Sequence, residues 1–252
     1  MTVDNELHPL DERYIEAYGI REGNGSDDPG TGTVRCPLCG GELLPTHHQR
    51  RGHRYFKHRH EEQTARCPLT TPNYQLDRFE ISLHTPDLNA VRMNRAQFLF
   101  NWKRHFRIAR HMAPALTLER FIAVVKYADV MNLWGFPLLD QRDLPYVLLV
   151  LAGFIAEHRK GDVTMWTRFW FDGRVRSASD LWRSGGVRDP QLYRVVYRDV
   201  VRTPFPTGAE IVRWESVERV DRVADLASRG VGRADMRLFE KFLENDTAIE
   251  EE

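Results

Sequence analysis

Cysteine residues supply the clearest chemical signal in this chain of 252 residues. Cys36 and Cys39 are separated by two residues and are followed by two glycines, the pattern of a zinc knuckle. Two thiolates at this spacing can bind one metal ion, and the glycines let backbone N–H groups turn back towards the sulfurs. The third cysteine, Cys67, lies in Arg-Cys-Pro-Leu-Thr, which repeats the residues around Cys36 except that Thr70 replaces the second cysteine. We therefore predict a second, degenerate knuckle that supplies one ligand.

A tetrahedral zinc site needs a fourth donor, and the segment between the two knuckles is rich in imidazoles. Its five histidines are His47, His48, His53, His58 and His60. We select His58, because Tyr55 and Phe56 have the character of strand residues and place it at the end of a strand. His60 is the alternative, since a residue two positions further along a strand points to the same side. The sequence thus predicts a structural Zn²⁺ site formed by Cys36, Cys39, His58 and Cys67.

Other uses of these cysteines fit the sequence less well. A redox Cys-x-x-Cys pair is typically followed by a helix in a βαβ unit, whereas two glycines follow Cys39. Three unliganded cysteines that are close by accident are another alternative. A catalytic zinc needs an open coordination position and a nearby general base. Glu61 and Glu62 are the only adjacent candidates, and four protein ligands would leave no position open, which favours a structural ion.

The same segment is similar to a known bacterial zinc-binding segment. The Cys36–Cys39 pair, a basic stretch, the run from Tyr55 to His58 and, more loosely, Cys67 resemble the N-terminal segment of CoiA-like competence proteins. This resemblance covers only residues 34–72 and implies a zinc module in a nucleic-acid setting. In that family a restriction-endonuclease-like domain often follows, which would imply DNA cleavage. After residue 72 this chain has no Asp…Glu-x-Lys arrangement on consecutive predicted strands, so we do not carry the nuclease activity over.

The net charge is zero, from 36 basic and 36 acidic residues, but the charges are unevenly distributed. Residues 1–30 hold eight acidic and two basic side chains, whereas residues 31–120 hold fifteen Lys/Arg against seven Asp/Glu. A concentrated basic segment is the electrostatic footprint of a nucleic-acid partner. The residues expected to contact nucleic acid are Arg50, Arg51, Arg54, Lys57 and Arg59, followed by Arg92, Arg95, Lys103, Arg104, Arg107 and Arg110.

Two other interpretations of the basic residues stay open. They can form an ordinary solvated helix face that pairs with the acidic N-terminal segment or tail, or they can dock onto an acidic protein partner. Nearby aromatic side chains can stack on bases, although aromatic residues at helical spacing more often belong to a core. These aromatic residues are Phe98, Phe100, Trp102 and Phe106.

Composition and periodicity divide the chain into three parts. Residues 1–33 form an acidic segment with a Gly/Asp-rich linker, residues 34–72 the zinc module, and residues 73–252 a mainly helical domain. Helices are expected over residues 89–112, after the N-cap Thr117, and over residues 140–158, 216–229 and 235–245.

A β-hairpin is expected near residues 164–176, with its turn at Asp172-Gly173. Its first strand carries aromatic residues on both faces, which favours burial of both faces over an exposed platform. The predicted fold class is therefore mainly α with a small zinc-bound β module and a C-terminal β-hairpin, α+β overall.

Common enzyme motifs and membrane signals are absent from the sequence. It contains no P-loop, no dinucleotide-binding glycine motif, no Gly-x-Ser-x-Gly and no His-Glu-x-x-His. Its longest apolar run, Tyr146 to Ala156, has 11 residues, whereas a bilayer span needs about 20. The N-terminus is acidic where a secretory leader would be basic, and three cysteines cannot form a disulfide framework. We therefore expect a cytoplasmic protein without a membrane span.

Together these observations predict a non-catalytic, zinc-containing subunit that binds DNA or RNA, or that assembles with protein partners. The setting implied by the resemblance is bacterial defence, competence or mobile-element machinery. Two alternatives stay open: a metal-dependent nuclease related to CoiA-like proteins, and a protein–protein adaptor that uses the aromatic hairpin and the acidic ends.

Overall fold

Six α-helices and seven β-strands make up the part of the chain that the computed structural model describes. The described residues are 8–11, 34–47, 54–70, 79–81, 87–158, 164–198, 207–220 and 231–250. The strands form two antiparallel sheets, so the fold is mixed α+β, and the predicted description 'mainly α' was too broad.

The first sheet belongs to the cysteine-containing segment. Strands β1 (His8–Asp11), β2 (Leu43–His47) and β3 (Arg54–His58) pair antiparallel, with β3 in the centre. Helix α1 (Glu61–Arg66) follows directly after β3. The predicted acidic segment, residues 1–33, lies outside the described residues except for the four residues of β1.

Two long helices begin at side chains that cap them. Helix α2 (Leu88–Met112) starts after Asp87, whose carboxylate accepts the N–H groups of Asn89 and Ala90 at 2.9 and 3.2 Å. Helix α3 (Leu118–Val130) starts after Thr117, as predicted, and the Thr117 hydroxyl accepts the N–H of Arg120 at 3.2 Å. Such oxygen acceptors satisfy the backbone donors that have no partner in the first turn of a helix.

The third predicted helix is shorter than expected. Helix α4 (Leu144–Leu151) ends before Gly153, which has a φ of +64°. A glycine in this left-handed conformation terminates helices, because other residues adopt it at a cost. The next residues, Ile155–His158, form strand β4. The prediction of one helix through His158 was therefore wrong.

The second sheet has four antiparallel strands in chain order. After β4 come β5 (Thr164–Phe171), β6 (Leu192–Arg198) and β7 (Ile211–Val217). A short helix, α5 (Ala178–Leu181), lies between β5 and β6. The prediction of a helix over residues 216–229 was wrong for its first residues, which form the end of β7. Residues 221–229 lie outside the described residues.

The last helix follows the second sheet. Helix α6 (Arg233–Glu250) contains the helix predicted over residues 235–245. None of the described helices combines the length and the hydropathy that crossing a bilayer requires.

The predicted hairpin near residues 164–176 does not form. Strand β5 pairs with β4 and β6 instead of with residues 174–177. The carboxylate of Asp172 accepts the N–H of Arg174 at 2.9 Å and that of Gln191 at 2.7 Å. These bonds hold the chain in a turn and bring the start of β6 beside the end of β5. Neither Asp172 nor Gly173 has the positive φ that a two-residue hairpin turn requires.

Both faces of β5 are buried, as its two-sided aromatic pattern predicted. Phe169 and Phe171 face the helical core, which is formed mainly by α2, α3 and α4. Trp170 faces a second cluster, the module core, which it shares with Cys36, Cys67 and residues of β6 and β7. The second sheet therefore lies between the helices and the cysteine-containing segment.

One histidine of α2 is enclosed within the helical layer. His105 is 1% exposed, and its ring stacks on that of Phe98 with the centroids 5.2 Å apart. Burial lowers the pKa of His105 to about 4, and the nearby positive charge of Arg104 acts in the same direction. The ring is therefore neutral at neutral pH.

We predict that His105 makes the folded protein sensitive to acid. In the unfolded chain a histidine binds its proton at about pH 6.5, whereas the folded protein holds His105 neutral down to about pH 4. As the pH falls through this window the unfolded state gains the proton first, so this group lowers the free energy of unfolding by about 3 kcal/mol. Urea unfolding at both ends of the window should show a smaller acid loss in His105→Phe than in wild type. The same change at exposed His111 is the control, and an equal acid loss in wild type and His105→Phe would contradict the prediction.

Candidate metal centre and basic helix

The first two candidate ligands lie on a tight knuckle that precedes β2. The N–H of Gly40 donates to the carbonyl of Cys36 at 2.8 Å, and the N–H of Cys36 donates to the carbonyl of Gly41 at 2.8 Å. Gly40 has a φ of +70°, a conformation that glycine adopts without strain. The N–H of Gly41 donates to the Sγ of Cys39 at 3.3 Å. The two glycines thus turn a backbone donor towards a sulfur, as the sequence predicted.

The other two candidate ligands come from the end of β3 and the end of α1. His58 is the last residue of β3 and is paired with Leu43 of β2. Cys67 directly follows α1, and its N–H donates to the carbonyl of Gln63 at 2.9 Å. Thr70, which takes the place of a fourth cysteine, donates its hydroxyl to the carbonyl of Thr64 at 2.9 Å. The second knuckle therefore contributes a single sulfur.

The four ligand atoms are close enough to bind one ion. The Sγ atoms of Cys36 and Cys67 are 3.6 Å apart, and the Sγ of Cys39 lies 3.2 Å from the Nε2 of His58. All four atoms lie within 4.8 Å of one another. A tetrahedral ion with metal–sulfur bonds of ~2.3 Å has sulfur–sulfur edges of ~3.8 Å. Three sulfurs and one imidazole nitrogen therefore fit a four-coordinate metal ion, and they are the four residues that the sequence predicted.

Burial opposes the ionisation of two of these thiols. Cys36 and Cys67 are 1% and 0% exposed. Burial raises the pKa of Cys36 and raises that of Cys67 to about 12. Hydrogen bonds with Cys36 and then with Cys67 lower the pKa of the Cys39 thiol. A divalent cation would supply the positive charge that lets all three bind as thiolates.

The remaining histidines are not part of this cluster within the described residues. His60, the alternative ligand, is exposed and precedes α1 as its N-cap residue. The backbone of His47 ends β2, but its side chain lies outside the described part, as do His48 and His53. The choice of His58 over His60 agrees with the geometry.

The turn after β5 contacts the backbone of the knuckle. The N–H of Gly173 donates to the carbonyl of Pro37 at 2.9 Å. A Cβ atom at Gly173 would lie 2.5 Å from the nitrogen of Gly40 and 2.8 Å from the carbonyl carbon of Cys39. The sequence assigned this glycine to a hairpin turn with positive φ, whereas in the structure it allows two backbones to approach closely.

A buried arginine lies on the face of β5 that contacts the module core. Arg168 is 2% exposed, and its guanidinium carbon lies 4.1 Å from the ring centroid of Trp170. Burial raises the pKa of Tyr197. The charge of Arg168 lowers this pKa and that of Cys67 raises it, so both side chains act on the same hydroxyl. Three thiolates and one divalent cation would leave a net negative charge, opposite in sign to the charge of Arg168. Sequence analysis missed this residue, although strand alternation places it on the same side as Trp170.

Three of the predicted nucleic-acid contacts extend from the exposed face of α2. These residues are Arg92, Lys103 and Arg104. The helix has no acidic residue over its 25 positions. Its exposed face therefore has positive charge that no residue of the same helix neutralises.

The other three predicted contacts on α2 are less accessible to a phosphate. Arg95 donates to the carboxylate of Asp129 at 2.8 Å, and Arg110 lies 3.6 Å from the carboxylate of Asp235. Arg107 is half-buried. The ion pairs of Arg95 and Arg110 and the partial burial of Arg107 reduce the positive charge that these side chains present to solvent.

The basic residues of the cysteine-containing segment are only partly described. Arg59 forms an ion pair with Glu42 at 3.1 Å, and Lys57 is half-buried. Arg54 contributes its backbone to β3, while its side chain, like Arg50 and Arg51, lies outside the described residues.

The aromatic residues of α2 separate into buried and exposed groups. Phe98, Trp102 and Phe106 are at most 6% exposed and belong to the helical core. Phe100 is 89% exposed. Of the four candidates for stacking on bases, only Phe100 presents its ring to solvent.

Comparison of the chain with models of protein families, with curated proteins and with solved structures finds no match.

We predict that Gly173→Ala disturbs the metal centre, although residue 173 is not a ligand. The added Cβ would collide with backbone atoms of the knuckle, which cannot rotate away as a side chain can. Overpacking of this kind costs about 1–3 kcal/mol of unfolding free energy. Urea unfolding should show the lower stability, and competition for the metal with a chromogenic chelator should show a lower metal affinity.

Gly232→Ala is the matched control for this substitution. Its Cβ would lie 3.7 Å from the nearest atom, the Oδ2 of Asp235, which is ordinary van der Waals contact. Equal stability and metal affinity in the two variants would show that the contact between Gly173 and the knuckle has no role.

Proposed function

We propose that this protein is a zinc-containing nucleic-acid-binding subunit, in which the metal is structural and helix α2 supplies the binding surface. The observation that carries the proposal is the exposed face of α2, a 25-residue helix without acidic residues. We place the protein in the cytoplasm, because its cysteines are all free and such thiols stay reduced there.

The ligand set supports zinc as the metal. Three thiolates and one imidazole within 4.8 Å of one another form a donor set that zinc prefers in tetrahedral sites. Because four protein ligands complete the tetrahedron, no coordination position remains for a water or a substrate. A closed site of this type stabilises the fold and does not activate a nucleophile.

The spacing of cations on α2 supports contact with a phosphate backbone. Arg92 and Lys103 are separated by about 20° around the helix axis and by about 17 Å along it. Phe100 lies between them in sequence, about 80° from Arg92. A single strand can place its phosphates against the two cations and one base on the ring of Phe100. We therefore favour a single-stranded segment as the ligand.

The similarity of the cysteine segment to CoiA-like proteins supports a setting in bacterial DNA handling, such as competence, defence or mobile-element machinery. It rests on the Cys36–Cys39 pair, the run from Tyr55 to His58 and, more loosely, Cys67. The proposal takes the zinc module from that resemblance and leaves the nuclease activity aside.

We predict that the purified protein contains about one zinc ion per chain, measured by inductively coupled plasma mass spectrometry. Cys67→Ser removes a ligand and should lower the zinc content to near zero and the melting temperature with it. His60→Ala is the control, because this imidazole is exposed and close in sequence to the ligand His58. A zinc-free wild type that is fully folded would refute the structural metal.

We predict that fluorescence anisotropy will detect binding of labelled single-stranded DNA or RNA at low salt. Each phosphate contact releases counterions, so affinity should fall steeply between about 50 and 200 mM salt. The double variant Arg92→Gln, Lys103→Gln should reduce the slope of log affinity against log salt by about two. Arg198→Gln, Arg213→Gln removes the same charge from exposed positions on the second sheet and is the control.

Phe100→Ala separates stacking from general charge attraction. Loss of one stacked base lowers affinity for single strands by about 5- to 100-fold, while the affinity for duplex DNA should change little. No binding at low salt, or an equal effect of both double variants, would contradict α2 as the binding surface. Cleavage of the nucleic acid with Mg²⁺ or Mn²⁺ would instead favour the nuclease alternative.

A further inference from the structure

A polar cleft of about 640 Å³ lies beside α2. It is bordered by α2, by the chain that leads into α4 and by the loop that joins α5 to β6. This volume lies within the range of pockets that hold small-molecule ligands. None of the candidate metal ligands lines this cleft.

The lining of the cleft has an excess of positive charge. It includes five arginines and three aspartates. Two of the aspartates are paired: Asp140 with Arg142 at 2.7 Å, and Asp143 with Arg219. Within the described part of the chain, Arg104 and Arg188 form no ion pair. Both are exposed and can therefore bind an anion in the cleft.

Two buried polar side chains lie at the floor of the cleft. His105 is 1% exposed, and the side chain of Gln141 acts on its pKa as a hydrogen-bond partner. The ring nitrogens of His105 and the Oε1 of Gln141 are all buried from solvent. These two side chains therefore close the floor of the cleft, and the arginines around it supply the groups that can bind an anion.

The loop opposite α2 has a fixed conformation that brings Arg183 and Arg188 to the cleft. A Cβ atom at Gly186 would lie 2.6 Å from the carbonyl of Leu181, so this position requires glycine. The N–H of Val187 donates to the carbonyl of Asp180 at 2.8 Å and closes the turn. Asp189 has a φ of +48° directly before Pro190, a conformation that costs energy for a residue with a side chain. Strained backbone of this kind is often found at ligand sites.

We propose that this cleft binds an anion with a terminal phosphate group, with Arg104 and Arg188 contacting the phosphate oxygens. A phosphate has several oxygens that forked guanidinium groups can bind from different sides. The ligand is a free nucleotide-sized phosphate or the phosphorylated end of a strand. The site shares Arg104 with the nucleic-acid surface proposed above, but Arg92, Lys103 and Phe100 do not line it, so the two proposals can be tested separately.

The test measures binding of pyrophosphate and of a nucleoside monophosphate by isothermal titration calorimetry, with chloride at the same ionic strength as the reference. We expect both anions to bind and Arg188→Gln to weaken binding about tenfold, as loss of a charged hydrogen bond does. Arg104→Gln should have the same effect. Arg92→Gln is the matched control on α2 and should leave the affinity unchanged.

A 5′-phosphorylated oligonucleotide and the same strand with a 5′-hydroxyl distinguish the two sources of phosphate. Tighter binding of the phosphorylated strand, lost in Arg188→Gln, supports a strand end, and tight binding of the free nucleotide alone supports a small ligand. No binding of either anion, or an equal loss in Arg188→Gln and Arg92→Gln, overturns the proposal. The proposed nucleic-acid surface is tested separately, by the double variant at Arg92 and Lys103.

Discussion

The convergence of three sulfurs and one imidazole is the constraint on which the cysteine-containing segment depends. The donors come from a knuckle, the end of a strand and the end of a short helix, and their ligand atoms lie within 4.8 Å of one another. Burial opposes the charge that two of the three thiols need as ligands. A bound cation would supply that charge and would join the three elements in addition to the apolar contacts of the module core. With an ion bound, the local fold and the metal would form one thermodynamic unit.

Strand β5 connects this unit to the rest of the molecule. Its odd-numbered aromatic residues Phe169 and Phe171 pack on the helices, and Trp170 packs on the cysteine segment. Arg168 lies on the side of Trp170, where its charge is opposite in sign to that of a loaded metal site.

Local signals in the sequence were sufficient for the candidate metal ligands and for the start of α3. Two thiols two residues apart and the side-chain cap at Thr117 act over a few residues, and both are present in the structure. Errors arose where distant segments decide the outcome. Strand β5 selects residues 192–198 as its partner because Asp172 binds the N–H of Gln191, a contact between residues 19 positions apart. Position 173 likewise requires glycine because its backbone lies against that of the knuckle, a contact that no pattern around residue 173 could indicate.

The net charge of the whole chain does not describe the charge of its individual surfaces. The overall charge is zero, yet α2 has no acidic residue and borders both the proposed strand surface and the proposed phosphate cleft. Arg104 belongs to both. A phosphate held in the cleft would neutralise part of this field within a Debye length, about 8 Å at physiological salt. Because coupling between two binding equilibria is reciprocal, a strand on α2 would weaken phosphate binding by the same factor. The two proposals thus share the guanidinium of Arg104, while Arg92, Lys103 and Phe100 belong only to the strand surface and Arg188 only to the cleft.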